Sequence, residues 1–218
     1  MFGTGKIAEC ASYYFERDGE YQIVAFCCDR SFLDGSTFAG RPVVAFEDID
    51  HLFPPEEYEL FIALGYHQVN QLRRKKFLEG LAKGYALASY SSPQVQGDFT
   101  IGANSLVLDN VSIQPKAQIG NNVFIWGGAM IGHHAVVQDH CWVTGSANIG
   151  GLTSIGESTF LGLNSTIGQS VTIGERCLLG ANTLVTKCLA EDSVVVVPDT
   201  EVHRLKVDQF LRLTQVFR

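Results

Sequence analysis

The chain has 218 residues, of which 46% are apolar and 18% charged, and a formal net charge of −7. That balance is globular, and it excludes the basic surface expected of a nucleic-acid binder. No apolar run reaches the roughly 18 residues of a membrane span and no signal peptide opens the sequence, so a cytoplasmic protein with no membrane partner is expected. Six cysteines without a CxxC pair read as reduced thiols.

"GTGKIAECASYYFERDGE" (3–20) reads as a Gly-rich turn entering a helix with Ile7, Ala8, Ala11 and Phe15 on its inner face. The apolar runs "YQIVAFCCD" (21–29) and "YELFIALG" (58–65) are expected as buried strands. "NQLRRKKFLEGLAKG" (70–84) is expected as a helix whose basic residues form a wet face, and "YALASY" (85–90) as another strand. This alternation predicts a small Rossmann-like α/β domain with a parallel sheet over 1–92, its boundary within "SSPQVQGD" (91–98). A G-x-G-x-x-A turn normally follows a strand, yet only Met1 and Phe2 precede Gly3.

The segment 93–190 carries the strongest signal, a strict period of six. Ile101, Val107, Ile113, Ile119, Ile125, Ile131, Val137, Val143, Ile149, Ile155, Leu161, Ile167, Ile173, Leu179 and Val185 are all aliphatic, and Gly often follows them. Such a period suits neither a helix nor an alternating ladder. It suits short strands joined at tight corners, where Gly tolerates unusual backbone angles. Three faces make an eighteen-residue coil, so about five coils of a triangular prism are expected, each aliphatic group stacking over the one eighteen residues away. Over 191–218 the register is lost. "SVVVVP" predicts a closing strand, and "DQFLRLTQVF" a helix capping the open apolar end.

Three of the six histidines fall in "IGHHAVVQDHCW": His133, His134 and His140. A zinc site needs converging ligands, whereas successive hexads point to different sides of the prism, and Pro115, Gly151 and Gln169 stack with His133. No metal is therefore expected. A neutral imidazole, with an unperturbed pKa near 6.5, suits removal of a proton from an attacking nucleophile.

The hexads "IGNNVF", "IGESTF", "IGQSVT" and "IGERCL" resemble the repeat of left-handed parallel β-helix acyltransferases. An α/β domain preceding such a helix resembles the sialic acid O-acetyltransferase family of sugar acyltransferases. "FGTGKIAE", "ALGYHQVNQLRRKKF" and "IGHHAVVQDHCW" match its glycine turn, second nucleotide-side loop and catalytic turn. The resemblance implies a homotrimer with acetyl-CoA in the groove between prisms, acylating the amino group of a nucleotide-linked amino sugar for surface polysaccharide such as O-antigen. It places the general base at His133 and puts His134 where an acidic residue ordinarily orients it. A backbone carbonyl, His134 or Asp139 could take that orienting role. Trp142 falls where a histidine linked to the thioester is expected, and Gly151 where the thioester lies. Gly168, Gly162 and Gly180 are lesser cofactor contacts.

For the sugar nucleotide, Gly3, Thr4, Gly5 and Lys6 at a helix N-terminus offer a pyrophosphate cradle. Ligands of open α/β sheets gather beyond strand C-termini, so Asp29 with Arg30 and Gly65 with Tyr66 should converge on it. The resemblance has Asp29 facing the nucleoside, with Gly65 and Tyr66 bordering it. The alternatives are a sugar O-acetyltransferase on the same scaffold, a carbonic-anhydrase-like metalloenzyme with histidines shared across an interface, and a non-catalytic trimeric assembly module.

Overall fold

The computed structural model describes residues 1–19, 21–95 and 97–214. Helix α1 (Lys6–Asp18) starts from Gly5, buries Ala8, Ala11, Ser12 and Phe15, and stops at Gly19, whose φ of 76° is left-handed. Strand β1 (Phe26–Cys28) pairs in parallel with β3 (Arg41–Ala45), which turns back on β2 (Thr37–Phe38) as an antiparallel hairpin. The short helix α2 (Ile49–Leu52) and the longer α3 (Gln71–Ala82) follow.

Single parallel bridges join Phe2 to both Cys27 and Ile62, and Leu60 to Leu87. The parallel segments therefore run in the spatial order 87, 60–62, 2, 26–28, 43–45, with the first in the chain at the centre. Phe2 thus lies in the sheet immediately before the Gly3 turn. Phe2 N donates to the Phe61 carbonyl (2.7 Å) and Gly3 N to that of Cys27 (2.8 Å). The runs 58–65 and 85–90 make isolated bridges instead of full strands, and the hairpin over 37–45 was not anticipated from the sequence.

From β4 (Tyr90–Ser91) onward the chain winds into a parallel β-helix of two-residue strands. Among the described residues face A, from Tyr90–Ser91 to Val194–Val195, has seven strands, while face B, from Thr100–Ile101 to Thr172–Ile173, and face C, from Ser112–Ile113 to Leu184–Val185, have five each. The chain visits them in the order B, A, C. Partners are eighteen residues apart, as in Ile131↔Ile149 and Ile149↔Ile167, and the inward aliphatic column is buried. At roughly 1.5–3 kcal/mol for each fully buried aliphatic side chain before entropy, this column is the main source of stability.

The corners differ from expectation in one respect. At most corners the third residue of the turn is left-handed; Gly128 (φ 78°) fills that position once, and elsewhere side-chain-bearing residues do, among them Asn122 (φ 56°), His134 (57°), His140 (64°) and Leu152 (61°). The glycines after the aliphatic residues answer a different need, the close approach of stacked coils. A Cβ on Gly132 would lie 2.4 Å from Gly151 N, and one on Gly150 would lie 2.6 Å from Gln169 N.

Face A is apolar on its outside, and the N-terminal unit covers it. Leu106, Phe124 and Trp142 are buried there; Phe61 stacks on Phe124 (centroids 5.6 Å, planes 7° apart), and Tyr66 meets Trp142 at 5.3 Å and Phe160 at 4.7 Å. Helix α3 completes the joint, and here the expected wet basic face is corrected. Arg73 is fully buried and Lys76 nearly so, because with Phe77 and Gly80 they lie on the helix stripe that faces inward. The Arg73 guanidinium sits 4.4 Å from the Phe124 ring and 5.1 Å from that of Trp142, and donates to the carbonyls of Asn122, His140 and Cys141.

At the far end, Val194–Val195 does close face A beside Leu178–Leu179. Helix α4 (Val207–Thr214) does not cap the prism. None of its residues is buried, and Phe210 packs against His203 of the preceding segment (centroids 5.1 Å). The rest of the expected helix, Gln215 to Phe217, lies outside the described residues. Among those described, no helix is long and apolar enough to cross a membrane.

Candidate active site

His133 and His134 occupy the edge between faces C and B, opposite face A. The turn exposes both rings. One side-chain and two backbone acceptors hold it: His133 N donates to Gln114 Oε1 (2.9 Å), His134 N to the Pro115 carbonyl (3.2 Å), and Leu152 N to the His133 carbonyl (2.9 Å). The two imidazoles cross at 84°, with Nδ1 to Nδ1 at 3.2 Å. One nitrogen must donate and the other accept. If His133 donates, its Nε2 keeps a lone pair free to accept a proton. The ring of His133 lies over Gly151, where a Cβ would come within 2.7 Å of Nε2. The observed position of the imidazole therefore requires a residue without a side chain at 151. Gly168, on the next coil, has only ordinary contacts around a would-be Cβ, the nearest 3.6 Å away.

Asp139, a candidate to orient His133, and His140 both lie on the following corner. Asp139 is on the edge between B and A, where Oδ1 accepts from Asn121 N (2.7 Å) and Oδ2 from Asn121 Nδ2 (3.1 Å). It cannot orient His133. His140, on the same edge, is buried under Phe77, and its Nδ1 is 2.9 Å from Asn122 Nδ2. Burial holds its pKa down at about 4. It is a neutral member of the joint with α3 and not a base. The cofactor role expected of Trp142 is also corrected. Its side chain is 2% exposed, enclosed by Phe124, Trp126, Tyr66 and Arg73 on face A, away from Gly151.

The N-terminal residues do come together at the C-terminal ends of adjacent parallel segments. Gly3 (φ 117°) passes so close to Ala63 that a Cβ would be 2.8 Å from its carbonyl oxygen, and Gly65 abuts Ile7 of α1. Gly5 faces open space, and Lys6 is exposed and paired with Glu9 (2.8 Å). Arg30 pairs with Asp48 at 2.6 Å. Asp29 accepts from Lys76 Nζ at 2.5 Å, and Glu79 holds the same ammonium at 2.6 Å. Sequence reasoning missed Lys76, Arg73 and Asn70. Asn70 is buried and donates to the carbonyls of Ser158 and Thr159. Their signal was present in the three- and four-residue spacing that places Arg73 and Lys76 on one stripe with Phe77 and Gly80.

The two clusters occupy one level on opposite sides of the prism. Tyr66 rests between Trp142 and Phe160, and Gly151 is nine residues from each, half a coil away. Among the described residues no three His, Cys, Asp or Glu side chains gather as a metal would require.

The sequence profile of the GMPPB C-terminal domain family matches residues 101–209, half of the chain. No curated protein matches the sequence. Among solved structures, a histidine-to-asparagine variant of perosamine N-acetyltransferase from Caulobacter crescentus, in complex with CoA and GDP-perosamine, superposes with a TM-score of 0.81 at 23% identity, covering 88% of this chain and 90% of that one. The acetyltransferase domain of PglB from Neisseria gonorrhoeae in complex with acetyl coenzyme A gives 0.80 at 21% identity, covering 88% and 92%. At such identities the likeness is one of fold, and it extends over both parts of the molecule.

Proposed function

The chain belongs, through residues 101–209, to the GMPPB C-terminal domain family, and from that premise we propose that it is an acetyl-CoA-dependent N-acetyltransferase acting on a nucleotide-linked amino sugar. The observation that carries this reading is the exposed His133 imidazole, paired through Nδ1 with His134 over the bare backbone of Gly151. The fold neighbours solved with CoA and GDP-perosamine, or with acetyl coenzyme A, support the substrate classes.

In this reading the sugar's amine attacks the thioester carbonyl carbon, forming a C–N bond while the C–S bond breaks. His133 Nε2 takes the proton that the nitrogen loses, and the imidazolium so formed gives a proton to the departing CoA thiolate, which restores the neutral base. His134 Nδ1 accepts from His133 Nδ1–H before and during transfer, so the pair needs no rearrangement as the imidazolium forms. The pantetheine arm runs along the small residues of the edge, Gly151 and Gly168. Gly3, Gly5 and Lys6 take the pyrophosphate at the start of α1. Asp29, Arg30, Gly65 and Tyr66 surround the nucleoside.

Because the cradle and His133 lie on opposite sides of one prism, a single chain cannot complete the reaction. A second copy, with its His133 edge against the cradle side of the first, makes the site whole, and a closed homotrimer satisfies this for every copy. The test is free CoA release from acetyl-CoA over a panel of nucleotide amino sugars and their hydroxyl analogues. Release with an amine is expected; release with hydroxyl acceptors alone would make the protein an O-acetyltransferase, and none with any acceptor would end the reading.

A further inference from the structure

Beside the histidine pair, one residue breaks the local chemistry of the corners. Among the described left-handed corner residues between Asn104 and Asp192, Leu152 alone carries an apolar side chain. Asn, which tolerates this conformation, fills five of the others (Asn104, Asn110, Asn122, Asn164 and Asn182). A bulky leucine at φ 61° is strained, and it is also 52% exposed, so burial does not compensate for the strain. It stacks directly after His134 in the column of left-handed residues, and its N–H donates to the His133 carbonyl at 2.9 Å.

Resting on the transferase reading above, we propose that Leu152 is the residue that sets acyl-chain specificity. Its side chain forms the apolar wall on which the thioester's acyl group lies. The acceptor amine must hydrogen-bond His133 Nε2, so the reacting carbonyl carbon lies against Gly151 and Leu152. The acyl methyl is bonded directly to that carbon, which fixes its distance from the reacting centre. A polar residue at this corner would leave the acyl group against water and the imidazole partly hydrated.

The experiment measures kcat/KM for acetyl-, propionyl- and butyryl-CoA in wild type, Leu152→Ala and Leu152→Asn, with assembly state and thermal midpoint recorded for each. Leu152→Ala should shift preference toward butyryl-CoA by about tenfold or more, the worth of pocket-size matching. Leu152→Asn should relieve strain and raise the midpoint by about 2–4 °C, while acetyl transfer falls about tenfold with assembly unchanged. That opposition of stability and rate is not expected of a merely structural residue. Acyl profiles within twofold of wild type in both variants, with wild type active, would overturn the proposal and leave the transferase reading standing. So would changes confined to the choice of sugar, or a loss of assembly alone. Wild type inactive with every acceptor would overturn both.

Discussion

The imidazole of His133 lies across the α-carbon of Gly151, so closely that a methyl group there would meet Nε2 at 2.7 Å. Gly151→Ala should therefore swing the ring out of place without unfolding the prism, since the obstructing atom belongs to a movable side chain. Turnover should fall by about 10²-fold, the cost of misplacing a catalytic group, with the circular dichroism spectrum retained. Wild-type turnover in Gly151→Ala would show that the observed ring position is not the working one.

His133→Asn should lower turnover near pH 7 by roughly 10²–10⁴-fold while leaving both substrate affinities intact. His134→Ala should cost less, about tenfold, because it removes only the partner of Nδ1. His134→Asp, which keeps a left-handed-tolerant residue and supplies a carboxylate acceptor, should retain more activity than His134→Ala. Steady-state kinetics at saturating acetyl-CoA decides both, and equal losses in the two His134 variants would mean that the Nδ1 contact does not orient the base.

His140 gives a pH test of the joint. Its pKa is held at about 4 by burial against an ordinary value of 6.5, so the unfolded chain binds this proton more readily than the folded one. The contribution to stability is complete above pH 6.5 and is lost as pH falls from there toward 4, about 3 kcal/mol in total. Chemical denaturation at pH 7 and 4.5 should show a steeper loss in wild type than in His140→Asn, whose side chain can still accept from Asn122. Parallel losses would place the titration elsewhere.

Among the described residues Arg73 has no carboxylate partner; burial lowers its pKa to about 9, which still leaves it charged at neutral pH. Arg73→Ala strips the bonds to the Asn122, His140 and Cys141 carbonyls and opens a cavity between Phe124 and Trp142. It should cost about 3 kcal/mol or more. Limited proteolysis should then cut first between the N-terminal unit and the prism. A loss below 1 kcal/mol would mean that aromatic packing alone holds the joint.

The prism was legible because one inward aliphatic residue per hexad obeys a period that nothing else in the sequence imitates. The covered face was legible too, in a pattern at eighteen: the outward residues Leu106, Phe124, Trp142 and Phe160 are apolar, whereas Ser112, Gln118, Asn148 and Thr172 are polar. Read at six alone, that contrast is invisible, which is why Trp142 was assigned to a cofactor and His140 left open as a base. Arg73 and Lys76 were misread because a guanidinium or ammonium is ordinarily solvated, and only the assembled joint supplies the carbonyls, rings and carboxylates that receive them. The pairing of His133 with His134 depends on ring orientation at a corner, which spacing does not encode.

The claim that the site is divided between copies is tested most directly by subunit mixing. His133→Asn removes the proposed base, and Gly5→Trp fills the proposed cradle at a position where nothing lies within 4 Å of a would-be Cβ. Each variant alone should be inactive in acetyl transfer. Co-expressed in equal amounts, they should assemble sites that join an intact His133 edge to an intact cradle and recover about a quarter of wild-type turnover, as random mixing in a closed ring gives. Mixed assemblies as inactive as their parents would contradict the account, because they would place base and cradle on the same chain.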